Sequence, residues 1–156
     1  MIENDLLYLL ATNLALLPFE SRKDAQVIFS YVLRFKPAGA NPKSDPIALS
    51  YVVTSRPEVL IELCKCYDHK ESTTQAGTVL REVLKHEAAA RIILYDEPGE
   101  EISSPKSLPG IKQPETPQTG NGVFWQFFTW IDRSTFEVGA DAFTTFRVSC
   151  LHSLSC

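Results

Sequence analysis

Residues 25–33, Ala25-Gln-Val-Ile-Phe-Ser-Tyr-Val-Leu33, return as residues 76–84, Ala76-Gly-Thr-Val-Leu-Arg-Glu-Val-Leu84. Five apolar positions coincide: Ala25, Ile28, Phe29, Val32 and Leu33 against Ala76, Val79, Leu80, Val83 and Leu84. Offsets of 0, 3, 4, 7 and 8 put all five on one face of an α-helix. A weaker third copy opens at Ala142, with Phe146 four residues on. The copies lie 51 and 66 residues apart. Setting aside a Pro/Gly/Asn loop of about ten residues near Pro37–Asp45 and an insertion of about twenty-five at 97–121 leaves roughly 41 residues each time. That is the length of a HEAT or armadillo unit of two or three helices. With no long alternating stretch to suggest strands, the fold expected is all-α: an armadillo/HEAT-like α-solenoid of about three repeats, each burying its apolar face on the next.

Punctuation around the copies places the other helices. Residues 1–17 carry seven leucines and stop at Pro18. The helix of the first copy spans 21–36. Asp45-Pro46 reads as a cap followed by proline at the first helical position, opening a helix over 46–54. Ser55-Arg56-Pro57-Glu58 and Ser72-Thr73-Thr74-Gln75 match capping boxes, for helices to about Tyr67 and over 73–85. Further helices are expected over 87–95 and 123–131, and after Ser134-Thr135-Phe136-Glu137 from Thr135 to Val148. Between Glu97 and Gly122 the chain holds five of its ten prolines, four of its seven glycines and no aromatic residue. Such a composition cannot offset its ordering entropy, so a flexible surface insertion is expected over 97–122. The domain expected is thus 1–148, interrupted by that insertion.

Composition excludes several classes. The 156 residues are 44% hydrophobic and 22% charged, with net charge −4, which suits an ordinary globular chain and gives no pull towards nucleic acid or anionic lipid. No window of eighteen apolar residues suggests a membrane span. The acidic start Met1-Ile-Glu-Asn-Asp5 does not resemble a secretory signal, so a cytoplasmic location is expected. Cys64, Cys66, Cys150 and Cys156 have no metal-ligand spacing and are expected as reduced thiols without disulfides.

Catalytic motifs are missing. His69-Lys70-Glu71 matches half of a zinc-deaminase signature without its Pro-Cys-x-x-Cys partner. No phosphate loop, nucleophile elbow or calcium loop is present. A non-enzyme that presents a partner-binding surface is expected, with no cofactor and no metal.

Four segments together resemble one family. They are Phe19-Glu-Ser-Arg-Lys-Asp-Ala-Gln-Val-Ile-Phe29, Arg56-Pro-Glu-Val-Leu-Ile-Glu-Leu-Cys64, Gly77-Thr-Val-Leu-Arg-Glu-Val-Leu-Lys-His-Glu87 and Ser134-Thr-Phe-Glu-Val-Gly-Ala-Asp-Ala-Phe-Thr-Thr-Phe146. They are similar to the calcium-binding protein 39 family, whose fungal members are HymA-type morphogenesis proteins. The resemblance covers 5 to about 147, apart from the insertion; after Arg147 the chain departs from the family pattern, which implies an atypical tail over 149–156. It implies a horseshoe of armadillo-like repeats and a non-catalytic scaffold. The family binds STRAD-type pseudokinases and germinal-centre kinases and holds them in the active conformation, in signalling for cell polarity, morphogenesis and, in fungi, conidiophore development. Despite the family name, no calcium site is expected. The family is about twice this length, and its C-terminal repeats, which carry a peptide pocket, have no counterpart here. Only the part of the kinase-facing concave surface on these repeats carries over. The alternative is a truncated, non-functional or dominant-negative fragment.

The family's S-T-F phenylalanine, which touches the pseudokinase, maps onto Phe136; the alternative there is ordinary core packing. Asp132 and Arg133 are candidates for a polar rim, and Arg81, Lys85 and His86 for contacts with an acidic kinase surface. The alternative is a solvated turn for Asp132 and Arg133 and a solvated face for Arg81, Lys85 and His86. Trp125 and Trp130 diverge on their helix, and burial is expected for Trp130. The chain is expected to be a monomer that binds a protein kinase or pseudokinase.

Overall fold

The computed structural model describes residues 5–41, 44–94 and 122–153. Among them every regular element is helical: α1 (Leu6–Asn13), α2 (Phe19–Arg34), α3 (Ile47–Ser55), α4 (Glu58–Lys65), α5 (Lys70–Val83), α6 (Glu87–Leu94), α7 (Val123–Arg133) and α8 (Phe136–Ser153). Single 3₁₀ turns at Leu14–Leu16 and Cys66–Asp68 follow α1 and α4.

The three copies of the apolar pattern are α2, α5 and α8, and they pack side by side with α5 in the middle. A second row is α1, α4 and α7; α3 packs on α6 in a third. The repeating unit is therefore three helices, and α3–α4–α5 and α6–α7–α8 are complete. Helices α1 and α2 fill the last two places of a first unit. An α-solenoid is the result, with two full units and a partial one. The expected insertion at 97–122 joins α6 to α7; apart from Gly122, the residue before α7, it lies outside the described residues.

The rows explain which repeat positions are buried. In the middle helix all five pattern residues are buried: Ala76, Val79, Leu80, Val83 and Leu84. In α2, which has a neighbour in the row on one side only, Ala25, Phe29 and Leu33 are buried while Ile28 is 40% exposed. Burying each large side chain contributes about 1.5–3 kcal/mol, so α5 is the helix on which the stack chiefly rests.

Several helix limits differ from the sequence reading, for one recurring reason. Neither predicted capping box that α4 and α5 needed is made. Ser55 closes α3, and Pro57 occupies the cap position of α4. Ser72 lies inside α5, where its hydroxyl donates to the carbonyls of Cys66 and His69, both at 3.1 Å. Asp45 does not cap α3 either: Pro46 holds that place, and Asp45 Oδ1 lies 2.8 Å from His86 Nδ1 at the α5–α6 corner. For Ser72 and Asp45 a preceding-turn or tertiary partner takes the polar side chain from its local role. The first leucine-rich helix is shorter than 1–17, ending in the 3₁₀ turn. The last helix is longer than expected: no Gly or Pro stops it at Val148, and it runs through Ser149, buried with its hydroxyl donating to the Phe146 carbonyl, to Ser153.

Candidate functional site

Two places on the α2–α5–α8 row carry polar chemistry, one within the α5–α8 contact and one at the starts of the helices. Between α5 and α8 lies a polar seam. Arg81 Nη1 donates to Asp141 Oδ2 at 2.8 Å and to Thr145 Oγ1 at 3.2 Å. The buried Tyr67 hydroxyl, from the turn before α5, donates to Asp141 Oδ2 at 2.8 Å and lies 2.7 Å from Thr145 Oγ1. Thr145 has one proton, which completes the network when given to the Tyr67 oxygen. Burial, and then the Asp141 carboxylate, push the Tyr67 phenol far up, so it stays a donor. Gly77 makes room for this seam: a Cβ there would overlap Asp141 Oδ2 and crowd Arg81 and Tyr67.

Arg81 is thus paired across the seam, with its side chain 25% exposed. Its charge is spent inside the stack, where a carboxylate on the next helix compensates the loss of water. His86 is likewise engaged, with Asp45. Of the three basic residues considered there, Lys85 is the one left exposed.

The start of α8 is open. Phe136 is 91% exposed, which excludes core packing for its ring. It opens α8 next to Glu137, whose Oε2 is 2.8 Å from Lys70 Nζ of α5. The hydrogen bond from Lys70, and then its charge, hold the Glu137 carboxyl below its ordinary range; Glu137 raises Lys70 in turn. Phe136 stands six residues before Ala142, as Lys70 stands before Ala76 and Phe19 before Ala25. Phe19 is 55% exposed, with Lys23 Nζ 4.8 Å above its ring. The three row helices therefore begin with an exposed aromatic, cation and aromatic in matching register. Nothing in Phe19 and Lys70 alone marks them; counting six back from the repeat alanines does.

The remaining candidates separate. Trp130 is buried, as expected, and donates from Nε1 to Asp68 Oδ1 at 2.6 Å. Trp125 is 40% exposed, and Asp132 is exposed near the end of α7. The Arg133 side chain lies outside the described residues. Cys64 and Cys66 are buried, and burial drives both thiols up, Cys66 to about 11 and Cys64 beyond it. They pack as small apolar groups. Among the described residues no group of three or more His, Cys, Asp or Glu is placed to hold a metal ion, and no helix is long and apolar enough to cross a membrane.

Comparison with known proteins agrees with the architecture. The chain is 54% identical over 151 residues to the conidiophore development protein hymA of Emericella nidulans, covering 94% of this chain and 38% of that protein. It is 29% identical over 153 residues to the Mo25-like protein of Schizosaccharomyces pombe (98% and 37%). It is 27% identical over 147 residues to the human calcium-binding protein 39-like protein (94% and 34%). The chain thus spans little more than a third of the relatives it matches. The Mo25-like family model matches residues 1–153, which takes in all eight helices and both of these places on the row, and the chain belongs to that family.

Proposed function

We propose that this chain carries part of a non-catalytic scaffold surface that binds a protein kinase or pseudokinase of the STRAD or germinal-centre type, in polarity and morphogenesis signalling. One observation carries the reading: Phe136, a large aromatic side chain left almost wholly in water at the start of α8. Exposing such a ring forgoes about 2–3 kcal/mol of burial, which a partner's pocket would recover. Phe19, in the same register, and the Lys70–Glu137 pair between them extend the surface. Lys85 adds a cation, which acts on association rate more than on affinity.

The test is direct binding of the 156-residue chain to purified STRAD-type and germinal-centre kinase domains. Phe136→Ala is expected to weaken binding roughly ten- to thirtyfold, and Phe19→Ala less, with melting unchanged. A folded chain that binds none of these kinases would overturn the reading in favour of an inactive fragment. Binding indifferent to both substitutions would remove this face from the role.

A further inference from the structure

The two contacts inside the row use the same repeat positions with opposite outcomes. Asp141, one residue before the pattern alanine Ala142, faces α5 and is bonded to Arg81 and Tyr67. Gln75, one before Ala76, holds the same position on α5 and so faces α2. The place of Arg81 is held on α2 by Ser30, five after Ala25, whose short side chain does not reach the Gln75 carbonyl. Gln75 is 7% exposed, and its Oε1 is buried without a hydrogen-bond partner. Glu82 Oε2, two turns on along the same side of α5, is also buried without one, since Arg34 Nε stands off at 3.8 Å. Among the described residues, the buried side-chain polar atoms in this condition are these two and Arg22 Nε, all on α2 or α5.

Beyond α2 the molecule is cross-tied by directional bonds. Trp130 Nε1 donates to Asp68, Arg81 and Tyr67 hold Asp141, and His86 holds Asp45 just ahead of α3. These bonds join α3 to α8 into one block. Helices α1 and α2 meet that block through apolar side chains, Ala11, Phe29 and Leu33 among them. Polar links across this boundary are weaker: the partly exposed Asp5–Arg56 pair and the long Arg34–Glu82 pair. Apolar packing is non-directional, so α1 and α2 can tilt on the block without losing a seam of fixed bonds. Gly39, between α2 and α3, has φ 85° and no atom within 4 Å of the place of a Cβ, so nothing packs on the chain there.

We propose that the α2–α5 contact is a hinge. Helices α1 and α2 swing as one body against the α3–α8 block, between a closed state that buries Gln75 Oε1 and Glu82 Oε2 and an open state that hydrates them. The unpaired acceptors penalise the closed state, which keeps the open one populated. The α5–α8 contact, with its acceptor fully bonded, has no such penalty and stays shut. The swing changes the angle between Phe19, at the start of α2, and Phe136, on the block. It belongs to the chain alone and does not depend on kinase binding.

Nitrogen-15 relaxation dispersion on the labelled 156-residue chain tests the hinge, since such motions fall in the μs–ms range. Exchange with one common rate is expected over α1, α2 and the α2-facing residues Gln75, Val79 and Glu82, and none along the α5–α8 seam. Gln75→Met keeps the volume and removes the unpaired acceptor, so it should lower the open population about fivefold or more. Glu82→Met should act in the same direction, and decides the matter if Gln75→Met does not fold. Flat profiles over α1 and α2, exchange of equal size at the α5–α8 seam, or an open population unmoved by either substitution would overturn the proposal.

Discussion

The α2–α5 and α5–α8 contacts are built from copies of one apolar pattern, yet they are held in different ways. At α2–α5 the packing of Ala25, Phe29 and Leu33 is supplemented by a long ion pair, Arg34 Nε to Glu82 Oε2 at 3.8 Å, with the arginine largely in water. At α5–α8 the apolar contact surrounds the Arg81–Asp141–Thr145–Tyr67 seam, with both charged side chains mostly withdrawn from solvent. An exposed pair adds little, while a withdrawn one is costly to leave half-made. The first contact should tolerate polar substitution and the second should not.

The largest effect should come from the helix the two contacts share. Leu80→Ala, at a fully buried site, should cost about 2–5 kcal/mol in denaturant unfolding. A loss below about 1 kcal/mol would mean that α5 is not the centre of the stack. Next, Asp141→Ala strands Arg81 and the Tyr67 hydroxyl and should cost about 2–3 kcal/mol, below the value for a wholly buried pair because some solvent reaches it. A double-mutant cycle with Arg81→Met should return a coupling of about 1–3 kcal/mol; additivity would dissolve the seam as a unit. Gly77→Ala should cost about 1–3 kcal/mol by overpacking the same place.

Arg34→Ala at the other contact should cost less than about 1 kcal/mol. The exposed Lys70–Glu137 pair is screened by solvent and has a definite pH sign. Glu137 is lowered from 4.5, so its contribution is present above that value and lost as pH falls through the lowered one. Lys70 is raised from 10.5, so its contribution is present below that value and lost as pH rises through the raised one. Thermal melts at pH 7 and pH 3 of the wild type and Lys70→Met would show a small difference at pH 7 that shrinks as the pH is lowered. Smallest of all, Phe136→Ala should shift stability by less than about 0.5 kcal/mol, because its ring touches little of the fold. A drop in melting temperature of several degrees would put the ring in the core after all.

The sequence by itself determined the helices, their repeat and the buried face. Periodicity is a local property: once Ala25–Leu33 and Ala76–Leu84 are helical, their apolar residues must share a side. It also placed Phe136, through a family motif, on a residue that proves exposed. What only the tertiary structure decided are the polar partners. Arg81 reads as a solvated cation because Asp141, which neutralises it, is 60 residues away. Asp45 and Ser72 read as caps because local capping is the usual use of such side chains, until His86, 41 residues on, or a preceding carbonyl offers another partner. Gly77 looks like a flaw in a helix until α8 arrives and needs the space. Hydrophobic burial is additive and non-directional, so a pattern suffices to foretell it. A hydrogen-bonded seam depends on which atoms meet, and that is fixed only when the helices have stacked.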